Sequence, residues 1–288
     1  MIIVDGLTYR YPGAAAETLV ALDFSLEDGE ILGFLGPSGA GKSTTQKILI
    51  GLLRGYRGRV EVMGREVSAW GPDYYEQVGV CFELPNHYRR LTARENLAHF
   101  AALYRRETLA PDEVLEWVDL SASADQAVAD FSKGMKVRLN LARSLIHRPS
   151  LLFLDEPTGG LDPVNARRVK ALIRRLREEG TTVLLTTHDM MVADQLCDRV
   201  AFIVDGRIAT LDGPEVLKRR YGRREVEVTF ERNGDRQHAR FALDGLGTDE
   251  AFAALLREVR VETIHSQETT LENVFIEVTG QRLTQGQP

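Results

Sequence analysis

A chain of 288 residues, 43% hydrophobic and 27% charged, is long enough for one large domain plus a small appendage, and this composition excludes a disordered or fibrous protein. A formal net charge of −6 argues against broad attraction to nucleic acid, where non-specific affinity comes from neutralising phosphates. The two cysteines, Cys81 and Cys197, lie in apolar contexts without CxxC or Cys/His spacing, so both read as buried free thiols rather than a disulfide or zinc site.

The N-terminal Met1 to Gly6 has no basic segment followed by an apolar run, so no secretion signal is expected. No later apolar stretch approaches the roughly 20 residues of a membrane-spanning helix, and the expectation is a cytoplasmic protein. Glu30-Ile31-Leu32-Gly33-Phe34-Leu35 suits a strand buried on both faces. After Gly41, the recurrence of Thr45, Ile48, Leu49 and Leu52 predicts a helix with one face turned inward. Between them, Gly36-Pro37-Ser38-Gly39-Ala40-Gly41-Lys42-Ser43-Thr44 matches the full phosphate-binding loop pattern in its required strand, loop, helix context. Its glycines let backbone N–H groups crowd around phosphate oxygens, and the helix N-terminus adds a favourable dipole. Lys42 is expected to neutralise β and γ phosphates, and the Ser43 hydroxyl to ligate Mg²⁺.

From about Asn86 to Phe131 helical signals interrupt the strands. Thr92-Ala93-Arg94-Glu95 reads as a capping box, and Leu97, Phe100, Ala101 and Tyr104 continue an apolar helix face. Leu151 to Leu154 is a second buried strand ending at Asp155. Thr182 to Thr187 is a third, ending at His188, and Val169, Leu172, Ile173 and Leu176 form a helical stripe between the two. Such crossovers predict a parallel sheet covered on both faces, with polar groups converging on one rim. Asp155 is expected to be a magnesium carboxylate, and Glu156 the group that polarises the attacking water.

A hairpin is expected at Asp205-Gly206, and a chain break at Gly213-Pro214. A short helix then leads into Lys218, Arg219, Arg220, Arg223 and Arg224, read as a solvated linker face with an anionic lipid surface as the alternative. Beyond Glu225, Val226, Val228 and Phe230 alternate, Asn233-Gly234 marks a turn, and Phe241 and Leu243 alternate again. A helix (about Asp249 to Arg257), a strand (Val259 to Ile264) and a last helix (about Thr270 to Thr279) complete a small α+β domain. The expected division is therefore 1–220, with a helical subdomain at about 86–134, and 221–288. His87, His99, His147, His238 and His265 suggest no metal cluster.

Five further segments accompany the loop and the Asp-Glu pair. They are Tyr11, Val78-Gly79-Val80-Cys81-Phe82-Glu83, Phe131-Ser132-Lys133-Gly134-Met135 opening a helix through Leu141 and Leu145, Gly160-Leu161-Asp162, and His188. In this order, over roughly residues 1 to 220, they resemble the ATP-binding-cassette (ABC) family. The resemblance implies an α/β P-loop NTPase fold of ABC type: a mainly parallel core sheet, an antiparallel β subdomain, a helical insertion and the C-terminal α+β appendage. It implies an ATPase using ATP and Mg²⁺, with Lys42, Glu156 and His188 as catalytic groups. Nucleotide would be held by Gly36 through Thr44, with Tyr11 stacking on adenine, and Ser43, Asp155 and Glu83 would be the metal-side residues.

Ser132 and Gly134 of the signature segment, and Asp162 of the D-loop, would serve nucleotide held by an opposite subunit. Two departures stand out. Glu83 occupies the place of the usual Q-loop glutamine, and Lys133 and Met135 replace the common glycine and glutamine of the signature. The tail Thr270 to Gly280 resembles ATPase subunits of bacterial drug- and lipid-type exporters. Implied partners are a second ATPase subunit, a homodimer being favoured over a heterodimer, and a separate transmembrane permease, which would place the chain on the cytoplasmic side of the membrane. An ABC ATPase acting on DNA or ribosomes is disfavoured by the single cassette and the lack of a heptad run, and a nucleotide switch without turnover by Glu156.

Overall fold

The computed structural model describes residues 1–222, 225–232, 234–267 and 269–281. They fall into two compact units, divided between Gly213 and Pro214. The first contains β1 (Ile2–Tyr9), β2 (Leu19–Leu26), β3 (Ile31–Leu35), α1 (Lys42–Leu49), β4 (Arg57–Val62), β5 (Arg65–Glu66), β6 (Val78–Cys81), α2 (Ala93–Ala101), α3 (Pro111–Trp117), α4 (Lys133–Leu145), β7 (Leu151–Asp155), α5 (Pro163–Glu178), β8 (Thr182–Thr187), α6 (Met190–Leu196), β9 (Arg199–Val204) and β10 (Arg207–Asp212).

Two sheets form from these strands. One is antiparallel, in the order β2-β1-β4-β5; the other runs β10-β9-β3-β8-β7-β6 and is parallel except for the antiparallel edge strand β10. The alternation of β2 turns Leu22, Phe24 and Leu26 inward, where they share a core with Phe34, Phe153, Leu184 and Ile203 of the parallel sheet and Ile48 and Leu49 of α1. Strands β3 and β8 are buried along their whole length, which is why they read as unbroken apolar or threonine runs. Register places Leu35 beside Thr187 and Asp155 beside Thr186, so the C-terminal ends of β3, β7 and β8 form one rim. That rim is where open α/β sheets bind ligands.

Helix α1 is shorter than its sequence stripe. The N–H of Leu52 turns back to the Lys47 carbonyl and that of Gly51 to the Ile48 carbonyl, both at 2.9 Å, a Schellman closure. Leu52, expected on the buried stripe, therefore lies beyond the helix and is 56% exposed. The predicted capping box forms at α2: Thr92 Oγ1 accepts from the Glu95 N–H (3.1 Å), and the Thr92 N–H donates to the Glu95 carboxylate (2.8 Å). Thr92→Ala is expected to cost about 1 kcal/mol, measured as a lower midpoint in urea unfolding of the full chain.

The second unit begins with α7 (Pro214–Tyr221) and contains β11 (Glu225–Arg232), β12 (Asp235–Ala242), α8 (Glu250–Glu258), β13 (Arg260–Gln267) and α9 (Leu271–Thr279). Its sheet is antiparallel, ordered β12-β11-β13. Val226, Val228 and Phe230 form a small core with Phe241, Phe252, Leu255 and Val261. Helices α7 and α9 pack together and bury Leu217, Leu271, Val274 and Phe275. This pairing draws α7 into the second unit, so the chain divides seven residues before the expected boundary at 220. β13 starts later and runs further than its apolar alternation predicted, because it pairs with β11 from Glu231↔Arg260 to Glu225↔Gln267. Gly234 of the expected turn has φ +84°; Asn233, Arg223 and Arg224 lie outside the described residues.

Candidate active site

Strand β3 delivers the loop Gly36 to Gly41 directly to the rim. Gly36 is forced by close approach, since a Cβ there would meet the Ile203 carbonyl oxygen at 2.1 Å. Gly41, at φ +110°, caps α1 without a side chain, leaving the first N–H groups of the helix to the loop's concave face. Lys42 folds back over the loop, its Nζ donating to the Gly36 carbonyl at 2.6 Å and the Pro37 carbonyl at 3.0 Å. Burial pushes the Lys42 pKa down, opposed by the carboxylates of Glu156, Asp155 and Glu83 in that order. A cation held half-desolvated among three acids is suited to a polyanion.

A cleft of about 520 Å³ brings together Tyr11, Ser38, Gly39, Gly41, Lys42, Ser43, Thr44, Glu83, Asp155, Glu156 and His188, and Thr18 also lines it. Tyr11 reaches it from the loop after β1, its hydroxyl 3.2 Å from Thr44 Oγ1 and its ring edge-on to Tyr9. Asp155, the last residue of β7, accepts a short hydrogen bond from Thr186 Oγ1. Glu156 has φ +48°, an uncommon conformation for a non-glycine residue that re-aims its side chain at the strand end. Its carboxylate accepts from Thr187 Oγ1 at 2.9 Å and from the His188 N–H at 2.8 Å, and it meets His188 Nδ1 at 2.6 Å. The glutamate is thereby fixed in orientation while the imidazole remains 64% exposed. Asp189 caps α6 through Met191 N and Val192 N, turning the chain away immediately after His188.

The residues that the ABC resemblance assigns to the opposite subunit lie elsewhere. Ser132 caps α4, its Oγ accepting from the Met135 N–H at 3.2 Å. Asp162 caps α5, accepting from the N–H groups of Val164 and Asn165, each at 3.0 Å. The backbone and side chain of Asn165 hold the Asp162 carboxyl below the usual carboxylate range. A Cβ on Gly134 would touch Leu161 at 3.4 Å, so the signature segment and D-loop are neighbours. None of Ser132, Gly134 and Asp162 lines the cleft that holds Lys42.

Helix α4 also holds the segment carrying Glu83. Asn140 donates to the Phe82 carbonyl at 2.7 Å, Arg143 donates to the Asn86 carbonyl at 2.7 Å, and a ring nitrogen of His87 lies 3.0 Å from the Lys136 carbonyl. Thr186, Thr187, Asn140 and Arg143 were not singled out from sequence. Their signal was polarity at otherwise apolar positions: three of them are buried in the structure, where polar groups require partners.

Ser43 and Asp155 offer oxygen donors beside the phosphate loop, with Glu83 lining the same cleft. Among the described residues no three His, Cys, Asp or Glu side chains close into a metal cage. The hydroxyl of Ser43 and the carboxylates of Asp155 and Glu83 fit Mg²⁺, which binds through one or two carboxylates together with substrate phosphates. The ion would supply charge neutralisation to the β and γ phosphates when bound.

The chain matches the ABC transporter family over residues 19–159, and the fluoroquinolone efflux ABC transporter C-terminal domain over residues 224–268. A fluoroquinolones export ATP-binding protein of Mycobacterium tuberculosis is 55% identical over 285 residues, covering 99% of this chain and 95% of that protein. The daunorubicin resistance ATP-binding protein DrrA3 of Streptomyces coeruleorubidus is 35% identical over 304 aligned positions, covering 97% of this chain and 96% of that protein. Among solved structures, an ATP-binding subunit of an ABC transporter superposes with TM-score 0.70 at 29% identity, covering 77% of this chain and 93% of the other. The ATP-binding cassette MJ0796, in a post-hydrolysis dimer bound to ADP and phosphate, gives TM-score 0.67 at 26% identity over 74% of this chain and 98% of the other. A phosphate loop, an acid pair and a histidine on one rim, within a chain matched almost end to end by such a relative, lead to one assignment: the chain belongs to the ATP-binding subunits of the ABC transporter family.

Proposed function

We propose that the chain hydrolyses MgATP as the motor of a drug exporter, two copies closing on nucleotide and driving a separate membrane-spanning permease. The observation that carries the reading is the division of the site. The cleft gathers the phosphate loop, Asp155, Glu156 and His188, while Ser132, Gly134 and Asp162 stand outside it. A triphosphate in the cleft has its phosphates on the loop and Lys42, and its adenine beside Tyr11. Glu156, held by Thr187 and His188, takes the proton of the attacking water. Ser132 and the N–H groups opening α4 are a second anion site, which meets the γ-phosphate only when a second copy faces the first. Hydrolysis removes that bridging phosphate and releases the pair, turning bond cleavage into rigid-body movement. No helix among the described residues is long and apolar enough to cross a membrane, and transport on this reading belongs to the permease. Leu84 and Tyr88, 80% and 51% exposed, follow Glu83 and offer it an apolar contact.

The relative at 55% identity points to fluoroquinolone-type drugs as cargo. Purification of the tagged chain from native membranes should retain one multispanning protein. Cells carrying the pair should accumulate less fluoroquinolone than cells carrying the pair with Glu156→Gln. Equal accumulation in the two strains, with the pair present in both, removes the export reading.

Glu83 places a full charge where the family usually has an amide. Glu83→Gln is expected to raise the Mg²⁺ concentration for half-maximal nucleotide retention on the order of tenfold, and to change the ratio of ATPase rates with and without the permease. Unchanged values in both assays would leave Glu83 with no role in metal binding or coupling.

A further inference from the structure

We infer that Asp119 is a positioning residue that fixes Ser132 relative to Asp162, the two groups offered to the partner's nucleotide; this rests on the paired-subunit reading above. Asp119 follows α3 at φ +56°, which turns its backbone and side chain toward two other helices. Its carbonyl and that of Val118 accept from Arg138 Nη1 at 2.7 and 2.8 Å. Its carboxylate takes a short hydrogen bond from Arg168 and lies 3.6 Å from Arg138 Nη1. Arg138 is on α4 and Arg168 on α5, each six residues beyond the N-cap of its helix, Ser132 and Asp162. One carboxylate thus clamps the matching turn of both helices whose N-termini carry the trans elements.

Neighbouring contacts tie the same elements. At the N-terminal ends a Cβ on Gly160 would lie 2.9 Å from Lys133 Cε, so the lysine arm already covers that glycine. Further along α5, the Arg175 guanidinium stands 4.7 Å from the centre of the Trp117 ring on α3. The Arg138 guanidinium is buried, and burial pushes its pKa down, with Asp119 the strongest opposing influence. By contrast, Asp119 and Arg168 are both more than half exposed, and ion pairs of that kind contribute little to stability. The bridge therefore orients two helices more than it stabilises the fold, and it acts through Ser132 and Asp162 without touching nucleotide itself.

The test uses the full chain with Glu156→Gln as parent, so that ATP is not consumed. Pairing is followed by sedimentation across an ATP titration, and single-chain binding by a fluorescent ATP analogue at protein concentrations too low for pairing. Asp119→Asn keeps the shape and tolerates the positive φ. It is expected to weaken ATP-driven pairing roughly 3- to 30-fold, the range of coupling changes for such positions, with single-chain analogue affinity unchanged. Pairing within twofold of the parent overturns the inference. If Asp119→Asn does not fold, Arg168→Gln at the exposed end of the bridge must show the same split, and parent-like pairing there overturns it equally. A parent that never pairs in ATP removes the paired-subunit reading and this inference with it; a parent that pairs as well as its Asp119→Asn derivative removes this inference alone.

Discussion

Glu156→Gln is expected to lower steady-state ATP turnover by about 10²- to 10⁴-fold, the usual worth of a positioned general base, while leaving ATP affinity within about threefold of wild type, because the substitution preserves the acceptor that orients the side chain. The amide oxygen can still accept from the His188 N–H that now reaches one carboxylate oxygen, and the amide NH2, in place of the other oxygen, can donate to the Thr187 hydroxyl, which accepts as well as donates. What disappears, on the proposed mechanism, is the group that would accept a proton from water. Binding and turnover should therefore separate, and ATP should hold the variant in the paired form because release requires cleavage of the bridging phosphate. Single-turnover hydrolysis measured beside equilibrium ATP binding checks both halves. A variant hydrolysing at the wild-type rate would move the base elsewhere, and one that failed to bind ATP would show that Glu156 acts in binding.

Most of this site was legible before the fold because its chemistry is local in sequence. The phosphate loop needs a glycine where a carbonyl crowds the backbone and another where φ is positive, and Gly36 and Gly41 meet those needs. The acid pair sits at the end of a wholly apolar strand, so Leu151 to Leu154 announced both the element and the place where its polar groups emerge. Periodicity located α5 for the same reason: Val169, Leu172, Ile173 and Leu176 are its buried face. Parts that depend on contacts between distant segments were not legible. Asn140 and Arg143 have meaning only once α4 lies against Phe82 and Asn86, more than fifty residues away in the chain. Likewise Asp119 looks like any surface acid until Arg138 and Arg168 converge on it. The sequence marked a chain break at Gly213-Pro214, but that the second unit begins there rather than at 221 follows from the packing of α7 on α9, a contact between distant segments.

Lys42→Ala is expected to weaken ATP binding roughly 30- to 4,000-fold, from the 2 to 5 kcal/mol that follows truncation of one partner in a buried charged contact and the tenfold per 1.4 kcal/mol relation. The loss comes from two sources. Nζ now spans the Gly36 and Pro37 carbonyls, standing where it can exchange those acceptors for phosphate oxygens with little side-chain reorganisation. Its charge also offsets Glu156, Asp155 and Glu83, the three acids that oppose the effect of burial on its pKa. Without it an arriving triphosphate meets uncompensated carboxylates as well as a missing ligand. Lys42→Arg separates the two sources: it restores the charge but cannot fold the same compact ammonium against the loop carbonyls. The arginine variant should therefore recover only part of the affinity. Calorimetric titration with the slowly hydrolysed analogue ATPγS in excess Mg²⁺ reads all three proteins on one scale. An alanine variant within threefold of wild type would mean that the loop N–H groups hold the triphosphate unaided, and an arginine variant equal to wild type would mean that charge alone is what Lys42 contributes.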